Sequence, residues 1–123
     1  MRIGYVIVGV GDLDRSVAFF RDIMGFELLH TAPEFGFASF RVGDLHFSLA
    51  AGDGGDGGHG TGNRNTGIGF MVEDVDAVHA ELAAKGVKFT LEPGPQPWGG
   101  YMGMFADPDD NIYYLDQARQ EHA

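Results

Sequence analysis

Apolar and polar positions in this chain alternate with two periods, and the order of those periods repeats once. Residues 2–10, RIGYVIVGV, are β-branched and apolar and predict a strand. Tyr5, Ile7 and Gly9 would point to one face, and Val6, Val8 and Val10 to the other. The spacing then turns helical over 13–24, where Val17, Phe20, Ile23 and Met24 form one stripe. Asp12 or Asp14 is the N-cap, and Gly25 is the left-handed stop. A short strand is expected at 26–30, then a loop with Pro33. Strands at 36–41 and 45–50 flank Gly43-Asp44, a hairpin signal.

The plan recurs after residue 65. Residues 68–72 predict a strand, and Asp74 caps a helix whose stripe is Val75, Val78 and Leu82. Lys85-Gly86 ends it, and 87–90 is the next strand. LEPGPQPWGG, 91–100, is expected as a loop. A strand at 101–106, a tight turn at Asp107-Pro108-Asp109-Asp110-Asn111 and a last strand at 112–116 follow. The expected fold class is therefore α+β: two βαβββ units whose curved mixed sheets build a cleft. The division is 1–50 for the first unit, 51–65 for a linker, 66–118 for the second unit and 119–123 for a frayed tail.

The linker AGDGGDGGHGTGNRN holds seven glycines and no large apolar side chain. Its two aspartates fall short of the roughly six oxygens that calcium needs, and His59 within it is expected in solvent. Over the whole chain, 18 acids against 8 Lys and Arg give a net charge of −10. That argues against nucleic acid and against an anionic membrane surface as partners, and it would favour a cationic ligand at long range. No apolar run approaches the ~20 residues of a membrane span, and the first strand lacks a signal-peptide pattern. With no cysteine there is no thiolate site or disulfide, and a reducing cytoplasm is the expected location.

Three stretches carry a resemblance. VGDLDRSVAFFRDIMGFEL at 10–28, VEDVDAVHAELAAKGVKF at 72–89 and FADPDDNIYYLD at 105–116 resemble the vicinal oxygen chelate superfamily of glyoxalases, extradiol dioxygenases and bleomycin-resistance proteins. Asp110 stands where that family's Asp-Pro-Asp-Gly-Asn turn has glycine. The resemblance implies the paired βαβββ fold. In most of the enzymes it also implies a divalent metal, with His or Gln on the first strand of each unit and Glu on the last. Matched through the helix signature and the Asp-Pro-Asp turn, those positions fall on Tyr5, Ser48, Gly67 and Tyr114. None is a histidine or a carboxylate, so no metal cofactor is expected. The alternative is an unusual site built from His46 and Asp116 with His30.

Tyr5, Phe47, Ser48, Gly67, Trp98, Tyr101 and Tyr114 are then the candidate ligand-binding residues. Aromatic faces with a few hydrogen-bonding tips suit a flat organic molecule. The resemblance is strongest to the metal-free, bleomycin-binding members, acidic dimers that sequester drugs. It implies a small-molecule binding protein for an aromatic or cationic compound, an antibiotic among the options, and a homodimer that covers its sheet edges. The alternative is a lyase or dioxygenase of the same superfamily. Without a metal, such an enzyme would have to use Tyr5 or Tyr114 as its acid–base group.

Overall fold

The computed structural model describes residues 1–51 and 64–118. The expected linker and tail fall almost entirely outside these residues, as does His59. The chain divides into two compact units, Met1–Asn63 and Arg64–Ala123.

The first unit runs β1 (Tyr5–Val10), α1 (Leu13–Ala18), a π-helical turn (Phe19–Ile23), β2 (Glu27–Ala32), a 3-10 turn (Pro33–Phe35), β3 (Phe37–Val42) and β4 (Leu45–Ala51). The second runs β5 (Asn65–Val72), α2 (Val75–Ala84), β6 (Lys88–Pro95), β7 (Tyr101–Ala106) and β8 (Ile112–Gln117). Each forms a 4-stranded sheet, ordered β1-β4-β3-β2 in one and β5-β8-β7-β6 in the other. In both, the first strand lies parallel to the last and the remaining pairs are antiparallel. The α+β fold with two βαβββ units is therefore observed as the sequence predicts.

The caps sit where the sequence puts them. Asp12 Oδ1 accepts from the Arg15 N–H at 3.1 Å, and Asp74 Oδ1 accepts from the Ala77 N–H at 3.1 Å. Gly25 ends the first helical segment at φ 76°. Between them the geometry departs from the expected α-helix over 13–24. The Met24 N–H bonds to the Phe19 carbonyl at 3.0 Å, a five-residue step that widens the helix. This widening accompanies the burial of two consecutive rings, Phe19 and Phe20. Ile23 and Met24, expected in the stripe, are only half-buried.

Alternation along the strands fixes which side is core. Val8, Val10, Ala38, Phe40, Phe47 and Leu49 are buried, on the strand positions whose parity faces α1. Phe20 packs in this layer, its ring centroid 4.9 Å from Phe47 and 6.1 Å from Phe40. Fully burying such a ring stabilises by roughly 3 kcal/mol. The second unit repeats the device with Phe70, Phe89, Phe105 and Tyr113.

The expected loop 91–100 is half strand. β6 continues to Pro95 with register shifts between Phe89, Leu91 and Gly94. It is an edge strand, so Pro93 and Pro95 need not donate on their open side. Opposite it, a side chain on Gly103 would begin 2.9 Å from the Leu91 carbonyl oxygen and 3.1 Å from Pro93. Only glycine lets the kinked edge come that near.

Candidate functional site

The face of the first sheet turned away from α1 carries a concavity of about 480 Å³. Strand register builds its floor. Ile7 of β1 stands beside Ser48 of β4, Ser48 beside Ser39 of β3, and Ser39 beside His30 of β2. One row toward the start of β1, Tyr5 stands beside His46, and His46 beside Arg41. Tyr5 and His46 line the concavity, as do Phe37 and Leu29. Leu29 enters through an irregularity: the β2–β3 register slips between Leu28 and His30, so two consecutive residues, Leu29 and His30, reach the same cavity.

The lining is mostly apolar, and its polar groups are gathered on the floor beside Ile7. Ser48 is 3% exposed and Ser39 7%, both well down in the sheet, whereas Tyr5 is 65% exposed at the mouth. No hydrogen bond to another described residue engages either serine hydroxyl. Glu27 and Arg41 lie at the end of the Tyr5–His46 row and pair at 3.6 Å, well solvated on both sides.

The expected ligand-binding residues separate. Tyr5 and Ser48 line this concavity together with His46. Phe47 lies on the opposite face, 1% exposed and packed against Phe20 and Phe26. Strand parity puts it there: neighbours on a strand cannot share a face. Tyr101 likewise turns toward its helix. Its hydroxyl donates to Asp76 Oδ1 at 2.8 Å, and that bond, with burial and the nearby Asp74 charge, holds its pKa above the ordinary phenol value. Tyr114 faces away from α2, with Asn65 Nδ2 donating to its hydroxyl at 2.9 Å. Gly69 lies beside it, 3.6 Å away as a Cβ would measure. Gly67 adopts φ 73° and has open space around it. Trp98 is 66% exposed.

Ile7, Leu29, Phe37 and Ser39 are lining residues that the sequence reading did not single out. Three of them were within reach. Ile7 shares Tyr5's parity. A two-residue turn at Gly43-Asp44 sets Ser39 opposite Ser48 and Phe37 opposite Ala50, as observed. Nothing in the sequence signals the irregularity that brings in Leu29.

The donor set at the positions where the resemblance implies metal ligands is a phenol (Tyr5), a hydroxyl (Ser48), a glycine (Gly67) and a phenol already hydrogen-bonded (Tyr114). This set does not fit a divalent ion that binds through imidazole and carboxylate. Among the described residues, no three His, Asp or Glu side chains converge on a point where they could hold one. His46 and His30 line the first unit's concavity, but no acid among the described residues lines it with them, and Asp116 belongs to the second unit.

Comparison with known proteins gives a consistent family and two kinds of relative. The family model described as Glyoxalase/Bleomycin resistance protein/Dioxygenase superfamily matches residues 2–113. A probable lactoylglutathione lyase from Vibrio cholerae is 31% identical over 99% of this chain and 94% of its own length. Among solved structures, a superfamily member from Sphaerobacter thermophilus superposes with a TM-score of 0.84 at 25% identity, covering 96% of this chain and 98% of its own. TnmS3, an antibiotic binding protein from Streptomyces, superposes with a TM-score of 0.81 at 27% identity, covering 97% of each chain.

Proposed function

The chain belongs to the Glyoxalase/Bleomycin resistance protein/Dioxygenase superfamily, and we propose that within it the protein binds a small aromatic compound without a metal. The observation that carries this reading is the floor of the first-unit concavity. It offers serine hydroxyls and imidazoles between apolar walls, with Tyr5 and Ser48 at positions where the resemblance implies histidine or glutamine and glutamate. Such a surface can hold a flat molecule by contact and a few hydrogen bonds. The likeness to an antibiotic binding protein supports sequestration as the role. A homodimer would cover the open edge strands β1, β2, β5 and β6.

Calorimetry on protein treated with EDTA, against a panel of planar aromatic compounds including antibiotics, tests the proposal. Saturable binding tighter than about millimolar is expected for at least one compound. Ser48→Phe, which fills the floor, should weaken it by about tenfold or more. A blank panel sinks the reading.

The second reading is a lyase, favoured by the 31% identity to the Vibrio cholerae relative. Lactoylglutathione lyase activity measured with added Ni²⁺ or Zn²⁺, alongside elemental analysis of the purified protein, decides it. Stoichiometric metal with turnover would establish the lyase in place of the binding protein.

A further inference from the structure

We infer that the concavity of the first unit takes an uncharged planar molecule carrying hydroxyl or carbonyl groups along one edge, and discriminates against a cation. This rests on the binding reading above and names its ligand class. Ser48, Ser39 and His30 stand side by side on three adjacent strands, β4, β3 and β2. Adjacent strands lie ~4.8 Å apart, so these side chains present hydrogen-bonding groups over roughly 10 Å, straight across the sheet. Each hydroxyl can donate and accept, and a neutral imidazole can do one of each. The stripe therefore matches either end of a hydroxyl or carbonyl row on a ligand.

What the stripe lacks is a counter-charge. Among the described residues, no carboxylate lines the concavity. Glu27, one row away, is paired with Arg41, and Arg41 stands beside His46. A cation reaching the two deep serines would lose its hydration and gain only neutral partners. Nor can the aromatic side chains replace the missing acid. Tyr5 and Phe37 lie two strands and four residues apart in register. That places their Cα atoms roughly 16 Å from each other, so with side chains standing upright from the sheet the two rings do not face one ammonium group together. The net charge of −10 draws cations to the molecule, but this site is not where they would be bound.

Three probes on one ring system test the inference by calorimetry at pH 8: 2,7-dihydroxynaphthalene, its analogue with one hydroxyl replaced by trimethylammonium, and naphthalene. The dihydroxy compound should bind saturably and the ammonium analogue at least tenfold more weakly. Ser39→Ala and Ser48→Ala should each weaken the dihydroxy compound by about three- to tenfold and leave naphthalene within about twofold. An ammonium analogue that binds as tightly as the dihydroxy compound, or more tightly, overturns the ligand class and leaves the binding reading standing. Equal losses for naphthalene and the dihydroxy compound overturn the stripe. Failure of all three probes, with a blank antibiotic panel, overturns both. The wild-type comparison alone decides the ligand class should a serine variant misfold.

Discussion

At Asp107 one buried carboxylate organises the turn that resembles the family's signature. It accepts from the Tyr113 hydroxyl at 2.7 Å, from Asn111 Nδ2 at 3.1 Å, and from the backbone N–H groups of Asp109 and Asn111 at 2.8 and 3.0 Å. Removing it leaves several buried donors without their acceptor, so Asp107→Ala should cost about 3 kcal/mol in urea unfolding. Burial raises the Asp107 pKa above the ordinary 3.8, although the bonds from Tyr113, Asn111 and the backbone pull it down. A raised folded pKa means the folded state holds the proton more tightly. Its stabilising contribution is complete below the ordinary value and is lost as pH rises through the folded value. The stability of wild type minus that of Asp107→Asn should therefore fall as pH rises from the ordinary carboxylate value through the folded one; a flat or rising difference would show that the hydrogen bonds to the carboxylate outweigh its burial. Asp110, three residues on, sits at φ 62°, in the left-handed region where the family's turn has glycine. Its carboxylate reaches Lys88 at 3.7 Å, with both side chains mostly in solvent. Asp110→Gly should raise stability by about 0.5–1 kcal/mol, read from the thermal midpoint.

At the scale of elements, legibility followed locality. Caps, stops and the hairpin turn involve residues close in sequence, and Asp12, Gly25, Gly43 and Asp74 all act as read. The two-unit plan is legible in the repeated order of the two periods, whereas the strand order, β1-β4-β3-β2 and β5-β8-β7-β6, is not. The misplaced features depend on contacts distant in sequence. The π-helical turn is coupled to burying Phe19 beside Phe20. β6 keeps its ladder through two prolines because, among the described residues, no strand pairs with its outer side. Tyr101 points to its helix because Asp76 receives its hydroxyl. The candidate site is half legible: Tyr5, His46 and Ser48 share a parity that can be counted, and the same count puts Phe47 in the core and not on an aromatic wall. The β6–β7 contact makes a clear prediction. Gly103→Ala should destabilise by about 1–3 kcal/mol, because its methyl would meet the Leu91 carbonyl and Pro93. An unchanged chemical-denaturation midpoint would mean the edge strand yields freely.

At the scale of the molecule, the family and the site give different kinds of information. The fold is shared with lyases and with an antibiotic binding protein alike, so it does not choose a chemistry. The choice lies in a few positions: Tyr5 and Ser48 where metal ligands would stand, and the row Ser48, Ser39 and His30 beneath them. No helix among the described residues is long and apolar enough to cross a membrane. Binding of a small molecule in the first-unit concavity, with no metal present, is open to direct measurement. Amide chemical-shift mapping of EDTA-treated, ¹⁵N-labelled protein titrated with 2,7-dihydroxynaphthalene tests it most directly. Saturable shifts centred on Ile7, His30, Ser39 and Ser48 are expected. Shifts that avoid these residues, or that emerge only after a divalent metal is added, would contradict it.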